Sequence, residues 1–334
     1  MLKEYKSEYW TFTPRDRQKS KKEEKRFAEI HCIINPASAA GRTRGRWLRL
    51  LKVLQNTWPD ELTFTITDFA GHATLIARQA VEQGSKKIVV MGGDGTIQET
   101  VNGLLANHQT CLEEISLGIL SSGTGQGLAQ SLGLPRALPA QWTVICQGKK
   151  RRIDLARAIF LDEEKQWQRR LFVNECQIGL GADVVQNLSF KTKKLGGRVG
   201  FGFTALSTAL RQPSFKIRLR LNDAYSVTAQ VLGVVIANGA FTGGGMQLAP
   251  KALLDDGQLD VLLIHDQSAL QRLRNFPSIY TGKHGMKGAF SFYRVRRVAL
   301  LSSHKAPIAA DGEILGSLPL TVEALPSALT VTVP

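Results

Sequence analysis

In the first half of the chain, short unbroken apolar runs alternate with segments in which apolar residues return every three or four positions. Ile30–Ile34 is such a run and ends in Asn35-Pro36, a turn signal. Trp47, Leu48, Leu50, Leu51 and Leu54 follow at helical spacing. Leu62–Ile66 is a second run, and Leu75, Ile76, Ala80 and Val81 mark one side of a second helix. Residues 87–91 form a third run, followed at once by Gly92-Gly93-Asp94-Gly95-Thr96 and a helical stretch to Leu105. Residues 115–120 form a fourth, which ends in Ser121-Ser122-Gly123-Thr124-Gly125. This repeating order of strand, loop and helix predicts a doubly wound parallel sheet of the α/β class, with helices on both faces. Both glycine-rich loops then lie at carboxyl ends of strands, where open α/β sheets bind ligands.

Beyond Gly148 the pattern changes to strands separated by Gly, Pro and Asp turns, at 152–158, 171–178, 215–221, 227–237, 259–264, 294–302 and 329–333. Helical interruptions fall near 181–189 and 197–211. Successive strands with short connections predict an antiparallel, β-sandwich-like second domain. The division that results is a charged N-terminal extension at 1–29, an α/β domain at 30–148 and a β-rich domain at 149–334.

Composition agrees with two domains. A chain of 334 residues is long for one core, and 43% hydrophobic with 21% charged residues describe a globular protein. Cys32, Cys111, Cys146 and Cys176 stand singly, which suits free, mostly buried thiols in a reducing cytoplasm. The N-terminal residues lack the apolar stretch of a secretory signal. No segment approaches the roughly 20 apolar residues of a membrane-spanning helix, so any membrane contact is expected to be peripheral.

Charge narrows the partners. The net charge of +15 calls for an anionic one. Between Lys165 and Arg220, eleven Lys and Arg residues accompany two acids, Glu175 and Asp183. Residues 267–310 hold eight Lys and Arg and no acid. Lys191, Lys193, Lys194 and Arg198 cluster beside Leu195-Gly-Gly and are candidates for contact with an anionic membrane. No nucleic-acid-binding signature accompanies these stretches, so nucleic acid is not an expected partner.

Two acidic turns and one glycine loop carry the candidate chemistry. Glycines directly after a buried strand let the chain turn sharply and bring main-chain N–H groups up to a phosphate, and the following helix adds its positive end. The loop Gly92-Gly93-Asp94-Gly95-Thr96 fits that description, although an ordinary strand-to-helix turn has similar residues. A carboxylate at Asp94 would repel phosphate directly and is expected to act through Mg²⁺ or water. No G-x-x-x-x-G-K-S/T loop, no H-R-D and D-F-G set, and no G-x-G-x-x-G after the first strand occurs. Asp311-Gly312-Glu313 contains the first acids after 44 acid-free residues, a setting that keeps a carboxylate ionised. Asp255-Asp256-Gly257 reads equally as a plain turn or a cation site.

Taken in order, these motifs resemble the superfamily of diacylglycerol kinases, sphingosine kinases, NAD kinases and phosphofructokinases, and in particular its bacterial lipid-kinase branch. The resemblance covers nearly everything from Ile30 to Pro334. It rests on Asn35-Pro36-Ala37-Ser38, Thr67 before Gly71, the G-G-D-G-T loop, Glu99-Thr-Val-Asn102-Gly103 and Ser122-Gly-Thr124-Gly. Phe172-Val-Asn174, Ala237-Asn238-Gly239, Gly243-Gly-Gly-Met246, Asp255-Asp256-Gly257-Gln258-Leu259-Asp260 and Asp311-Gly312-Glu313 continue the series. The resemblance implies an ATP-dependent lipid kinase. ATP would sit against Asn35, Pro36, Ala37, Ser38, Thr67, Gly93, Asp94, Gly95, Thr96, Ile97, Gln98, Glu99 and Thr124. Glu313 would be the general base toward the lipid hydroxyl, with Asp311 beside it. A Mg²⁺ would be held by Asp256 and the carbonyls of Leu253 and Gln258; hard oxygen ligands suit that ion.

Two positions depart from the family. Gln126-Gly127 stands where many members have Asn-Asp, a change compatible with sphingoid- or ceramide-type relatives, and Gln98 replaces the commoner Asn. The expected acceptor is therefore a diacylglycerol- or sphingoid-like lipid, and the expected setting is the cytoplasmic face of a membrane, with a homodimer left open. The alternatives are an NAD kinase-like enzyme and a lipid-binding regulator without turnover. The late D-G-E argues against both.

Overall fold

The computed structural model describes residues 10–11, 29–54, 62–105, 115–123, 125–188, 197–286 and 288–334. They divide into two compact units. One is built from the described residues of 1–123, 133–151 and 329–334, the other from those of 124–132 and 152–328.

The first unit begins with β1 (Trp10–Thr11) and β2 (Ile30–Ile34), then α1 (Arg42–Leu54), β3 (Leu62–Ile66), α2 (His72–Glu82), β4 (Lys87–Gly92), α3 (Asp94–Leu104) and β5 (Ser116–Ser121). Its sheet has the order β1-β3-β2-β4-β5, and β2 to β5 run parallel while β1 is antiparallel to β3. The register aligns Ile34 with Ile66 and Met91, and Gly92 with Ser121, so the loops that follow these strands leave from one edge. β2 has β3 on one side and β4 on the other, which makes the space above it the switch point of the sheet. The strands are mostly apolar because both faces are covered. On one face Trp47 and Leu50 of α1 pack with Cys32, Ile34, Val89, Met91 and Leu120. On the other, α2 and α3 lie so close that a Cβ on Gly103 would meet the carbonyl oxygen of Thr74 at 2.2 Å.

The second unit contains α4 (Gly127–Ser131), and α5 (Leu138–Gln147) returns the chain to the first. There follow β6 (Lys149–Leu161), β7 (Trp167–Phe172), β8 (Glu175–Gly179), α6 (Leu180–Asn187), α7 (Gly197–Arg211), β9 (Phe215–Leu221) and β10 (Tyr225–Ala237). The chain ends with β11 (Leu259–His265), α8 (Ala269–Asn275), β12 (Phe290–Val295), β13 (Arg297–Leu301), β14 (Pro307–Ala310) and β15 (Glu313–Val333). The pairings of β10 with β8, β9 and β11, of β11 with β12, of β13 with β9 and β15, of β14 with β8 and β15, and of β6 with β7 are all antiparallel. β10 organises it: Tyr225–Val231 pairs with β9, and Gly233 to Ala237 pairs with β8 along the continuation of that edge. Inward residues of β9, Phe215, Ile217, Leu219 and Leu221, alternate with outward Lys216, Arg218 and Arg220, the period of a half-buried strand.

Three expectations about elements need correction. Residues 171–178 are two strands, broken at Val173-Asn174, and 294–302 are two strands, broken at Arg296. Neither break carries Gly or Pro; in both, a distant side chain takes the main-chain N–H groups out of the ladder. Asn222 does so at the second, accepting from Arg296 N at 2.8 Å and Arg297 N at 3.1 Å. The last strand is 21 residues long and not five, and its end, Thr330 and Val331, pairs parallel with Ser116 and Leu117 of β5.

Candidate active site

In the first unit the loops after β2, β4 and β5 are laced together. Asn35 folds an Asx turn, its Oδ1 accepting from Ala37 N at 3.0 Å and Ser38 N at 3.2 Å. Its Nδ2 donates to Thr96 Oγ1 at 2.9 Å, which joins the first loop to the start of α3. Ser38 Oγ lies 2.6 Å from Thr43 Oγ1, which is 2.8 Å from Ser122 Oγ, and Arg46 donates to the Ser122 carbonyl at 2.7 Å. Thr43 and Arg46 on α1 are therefore part of the frame, although nothing in the sequence singled them out.

Glycine is required where these loops meet. Gly92 O accepts from Ser122 N at 2.9 Å and Gly123 N at 3.1 Å. A Cβ on Gly123 would stand 2.5 Å from Gly93 Cα, and one on Gly92 would run into the Thr96 side chain. The result is bare backbone at the head of α3, with Gly93 extended and Asp94 in the first turn. Main-chain N–H groups and a helix amino end in that arrangement suit a phosphate.

The other expected nucleotide residues are placed as follows. Pro36 and Ala37 sit in the Asx turn. Thr67 is buried at the end of β3, its N–H donating to Ile34 O at 2.9 Å. Thr96, Ile97 and Gln98 are buried, with Ile97 in the apolar interior. Glu99 caps the neighbouring helix, accepting from Gly71 N at 2.9 Å and Ala73 N at 3.2 Å. That cap brings Glu99 to the segment after Thr67 and fixes the entry to α2. Thr124 lies outside the described residues, as do Cys111, Lys191, Lys193, Lys194 and the side chain of Arg198.

The second unit holds the D-G-E segment as a two-residue hairpin turn. Asp311 and Gly312 have φ of 46° and 87°, and Ala310 pairs with Glu313, the arrangement favoured by Asp-Gly in tight hairpins. Asp311 is buried and its carboxylate accepts three main-chain N–H groups: Val173 at 2.7 Å, Asn174 at 3.0 Å and Glu175 at 3.0 Å. It thereby separates β7 from β8 along the chain and anchors the turn on which Glu313 sits. Asn174 O in turn accepts from Asn238 N at 2.8 Å and Gly239 N at 2.9 Å, and Asn238 Nδ2 donates to the carbonyls of Asp154 and Val173. Beside them Glu175 is buried and accepts from Thr242 Oγ1 and, at 2.7 Å, from Gln177 Nε2.

The Asp255-Asp256-Gly257 turn is docked on β6. Asp154, buried, accepts from Gly257 N at 2.6 Å and Ser327 N at 2.7 Å, and its own N–H donates to Leu254 O. Asp256 Oδ1 accepts from Gln258 N at 3.0 Å, whereas its Oδ2 is buried without a hydrogen bond, 3.5 Å from an Arg294 nitrogen. Arg294 also lies 3.6 Å from Asp260 Oδ2, and burial pushes the Asp260 carboxyl up against that attraction. A buried carboxylate oxygen without a hydrogen bond suits a small hard cation. No cluster of three His, Cys, Asp or Glu suited to a metal occurs among the described residues.

An apolar cavity lies wholly within the second unit. Phe201, Val234, Leu248, Phe276, Ile279 and Phe290 contribute to its wall, and Gln177 brings a polar group to it. Two hydrogen-bonded steps, Gln177 to Glu175 and Glu175 N to Asp311, connect this wall to the D-G-E turn.

Known proteins share both halves. Residues 29–158 match the family described as the diacylglycerol kinase catalytic domain, and residues 176–333 match the YegS C-terminal NAD kinase beta sandwich-like domain. A "probable lipid kinase YegS-like" of Pseudomonas savastanoi pv. phaseolicola is 33% identical over 277 residues, 82% of this chain and 84% of that protein. A protein of the same name from Chromohalobacter salexigens is 28% identical over 274 residues, with the same coverage. The crystal structure of a diacylglycerol kinase from Bacillus anthracis superposes with a TM-score of 0.72 over 93% of this chain and 99% of that one, at 21% identity.

Proposed function

The chain belongs to the YegS-like lipid kinases, and from that premise we propose that it transfers the γ-phosphoryl group of ATP to the hydroxyl of a diacylglycerol- or sphingoid-like lipid. Phosphoryl transfer has a loose transition state, so positioning and charge do most of the work. The backbone cradle formed by Gly92, Gly93 and Gly123, with Asn35, Ser38 and Thr96 around it, holds the phosphates. Asp94 would hold a Mg²⁺, which would neutralise phosphate charge when bound. A second Mg²⁺ would be held by Asp256 and the carbonyls of Leu253 and Gln258 and would stiffen the turn before β11.

The observation that carries the reading is the division of labour in the hairpin turn. Both oxygens of Asp311 are engaged by three main-chain N–H groups, so Asp311 positions the turn. Glu313 then takes the proton of the acceptor hydroxyl as its oxygen attacks phosphorus. The apolar cavity supports a lipid acceptor: its wall suits an acyl chain and offers little to NAD, which is polar along its length. Retention of both Asp311 and Glu313 favours turnover over a purely binding role.

Labelled ATP tests the proposal against diacylglycerol, monoacylglycerol, sphingosine, ceramide, phosphatidylglycerol and NAD in parallel. The expected result is γ-label in a chloroform-extractable product with one or more of the lipids. Label in NAD alone, or in none of the six, contradicts it.

A further inference from the structure

Helix α7 is apolar on two opposite faces. Phe201, Ala205 and Ala209, on one side, line the cavity. Val199, Phe203 and Leu210 repeat at i, i+4 and i+11, which brings them onto one stripe on the other side. They are exposed by 73%, 69% and 38%. An amphipathic helix of a water-soluble domain turns one face only to the interior; apolar residues on the second face call for a second apolar medium. The neighbouring helix α8 repeats the feature, with Leu270 exposed by 76% and Leu273 by 49%, three residues apart. Arg272 ties the two helices together, donating to the carbonyls of Ala209 at 2.8 Å and Gln212 at 2.7 Å.

The charges around this ridge are predominantly basic. Arg211, Arg274 and Lys283 are exposed, and no acid occurs between Asp183 and Asp223 or between Asp266 and Asp311. Asp183 itself accepts from Gln212 at 2.8 Å and Asp266 faces Arg272 at 3.4 Å, so both nearby acids are engaged. Apolar side chains at the centre with cations at the rim complement the surface of an anionic bilayer, where apolar groups enter below the headgroups and cations meet phosphates. The location adds a reason: α7 and the segment from Arg272 to Ile279 also form the cavity wall.

We propose that the outer faces of α7 and α8, through Val199, Phe203, Leu210, Leu270 and Leu273, are the surface by which the protein enters an anionic lipid leaflet. The cavity behind the ridge then opens toward the leaflet from which an acceptor lipid leaves. The choice of a bilayer rests on the lipid-acceptor reading, but the test reads binding and not phosphorylation, so either can fail alone.

The full chain is mixed with vesicles of phosphatidylcholine and phosphatidylglycerol and separated by flotation. Wild-type protein is expected to float with the vesicles, and raising the salt should weaken this only in part, since the apolar share persists. A Val199→Ser/Phe203→Ser/Leu270→Ser/Leu273→Ser variant should lose about tenfold or more in partitioning. Its melting temperature and its turnover on a short-chain, detergent-dispersed acceptor should stay at the wild-type values. A single Phe203→Trp variant gives an independent reading: its emission should shift to the blue on adding vesicles and be quenched by brominated acyl chains. The proposal is overturned if wild-type protein ignores the vesicles at low salt, or if the quadruple variant floats as well as wild type. An unquenched, unshifted Trp at 203 overturns it too. So does light scattering in which wild type is a dimer and the quadruple variant a monomer without a difference in vesicle binding, because the ridge would then join two copies of the chain.

Discussion

The two candidate sites are held together by different means. In the first unit the proposed phosphate cradle consists of backbone, and what keeps it open is the absence of side chains at Gly92 and Gly123, with Gly93 closely apposed. Its contacts join loops at the ends of adjacent parallel strands, so the sheet register alone brings them together. In the second unit the D-G-E turn depends on one buried carboxylate, Asp311, which reaches main-chain groups more than 130 residues earlier in the chain. The first site can be damaged by adding an atom and the second by removing one. A steric fault leaves the fold intact and blocks a ligand, whereas an unanswered buried N–H group weakens the fold itself.

This contrast can be broken by experiment, and Asp311→Ala should have the largest effect on stability. Three buried N–H groups lose their acceptor, so a loss of about 3 kcal/mol or more is expected, measured by urea denaturation. A loss below about 1 kcal/mol would mean that water or a rearranged turn serves equally well. Asp311→Asn, which keeps one oxygen acceptor, should fall between.

A buried histidine gives the first unit its own sensitivity. His31, within the sheet, sits between Thr63 Oγ1 at 2.7 Å and Thr65 Oγ1 at 3.1 Å, and burial pushes it down to about 3. The unfolded chain therefore binds a proton below about 6.5 that the folded chain refuses, and stability falls as the pH drops through that window toward 3. The expected slope is about 1.4 kcal/mol per pH unit, or about 2 kcal/mol lost by pH 5. Thermal melts at pH 7, 6 and 5 should show it, and His31→Gln should flatten this part of the profile. An unchanged slope in the variant would place the pH sensitivity elsewhere.

The smallest of the three effects is the most selective. Gly123→Ala sets a methyl group 2.5 Å from Gly93 Cα, so the two loops must part by a fraction of an ångström. ATP affinity should drop about tenfold, near 1.4 kcal/mol, by calorimetry, with little change in melting temperature. Equal affinity in the variant would show that the loops move apart freely and that the cradle is not set by this contact.

The same contrast explains what the sequence discloses. The first sheet is legible because each strand is a local apolar run and each loop carries its own turn residues, as in Ile30–Ile34 with Asn35-Pro36. The strand alternation of β9 and the helix of α7 are legible for the same reason. Strand breaks at Val173-Asn174 and at Arg296 are not, since what interrupts them is Asp311 in one case and Asn222 in the other, far away in the chain. Asp154 likewise gives no local signal, yet it docks the Asp255-Asp256-Gly257 turn. The D-G-E motif points to Asp311 and Glu313 alike; only the hydrogen bonds of Asp311 mark it as the residue that positions the turn. Short α5 and α8 are not legible in the sequence because each offers too few turns for a period to emerge.

The most direct test of the account is Glu313→Gln, read for turnover, ATP affinity and melting temperature on the same preparation. Because Asp311 anchors the turn and Glu313 acts on the acceptor, the melting temperature and ATP affinity should stay close to wild type. Turnover on the preferred lipid should fall by roughly 10²–10⁴-fold. A folded variant that keeps more than about a tenth of wild-type turnover, or one that loses ATP binding along with activity, would contradict the assignment of Glu313 as the base.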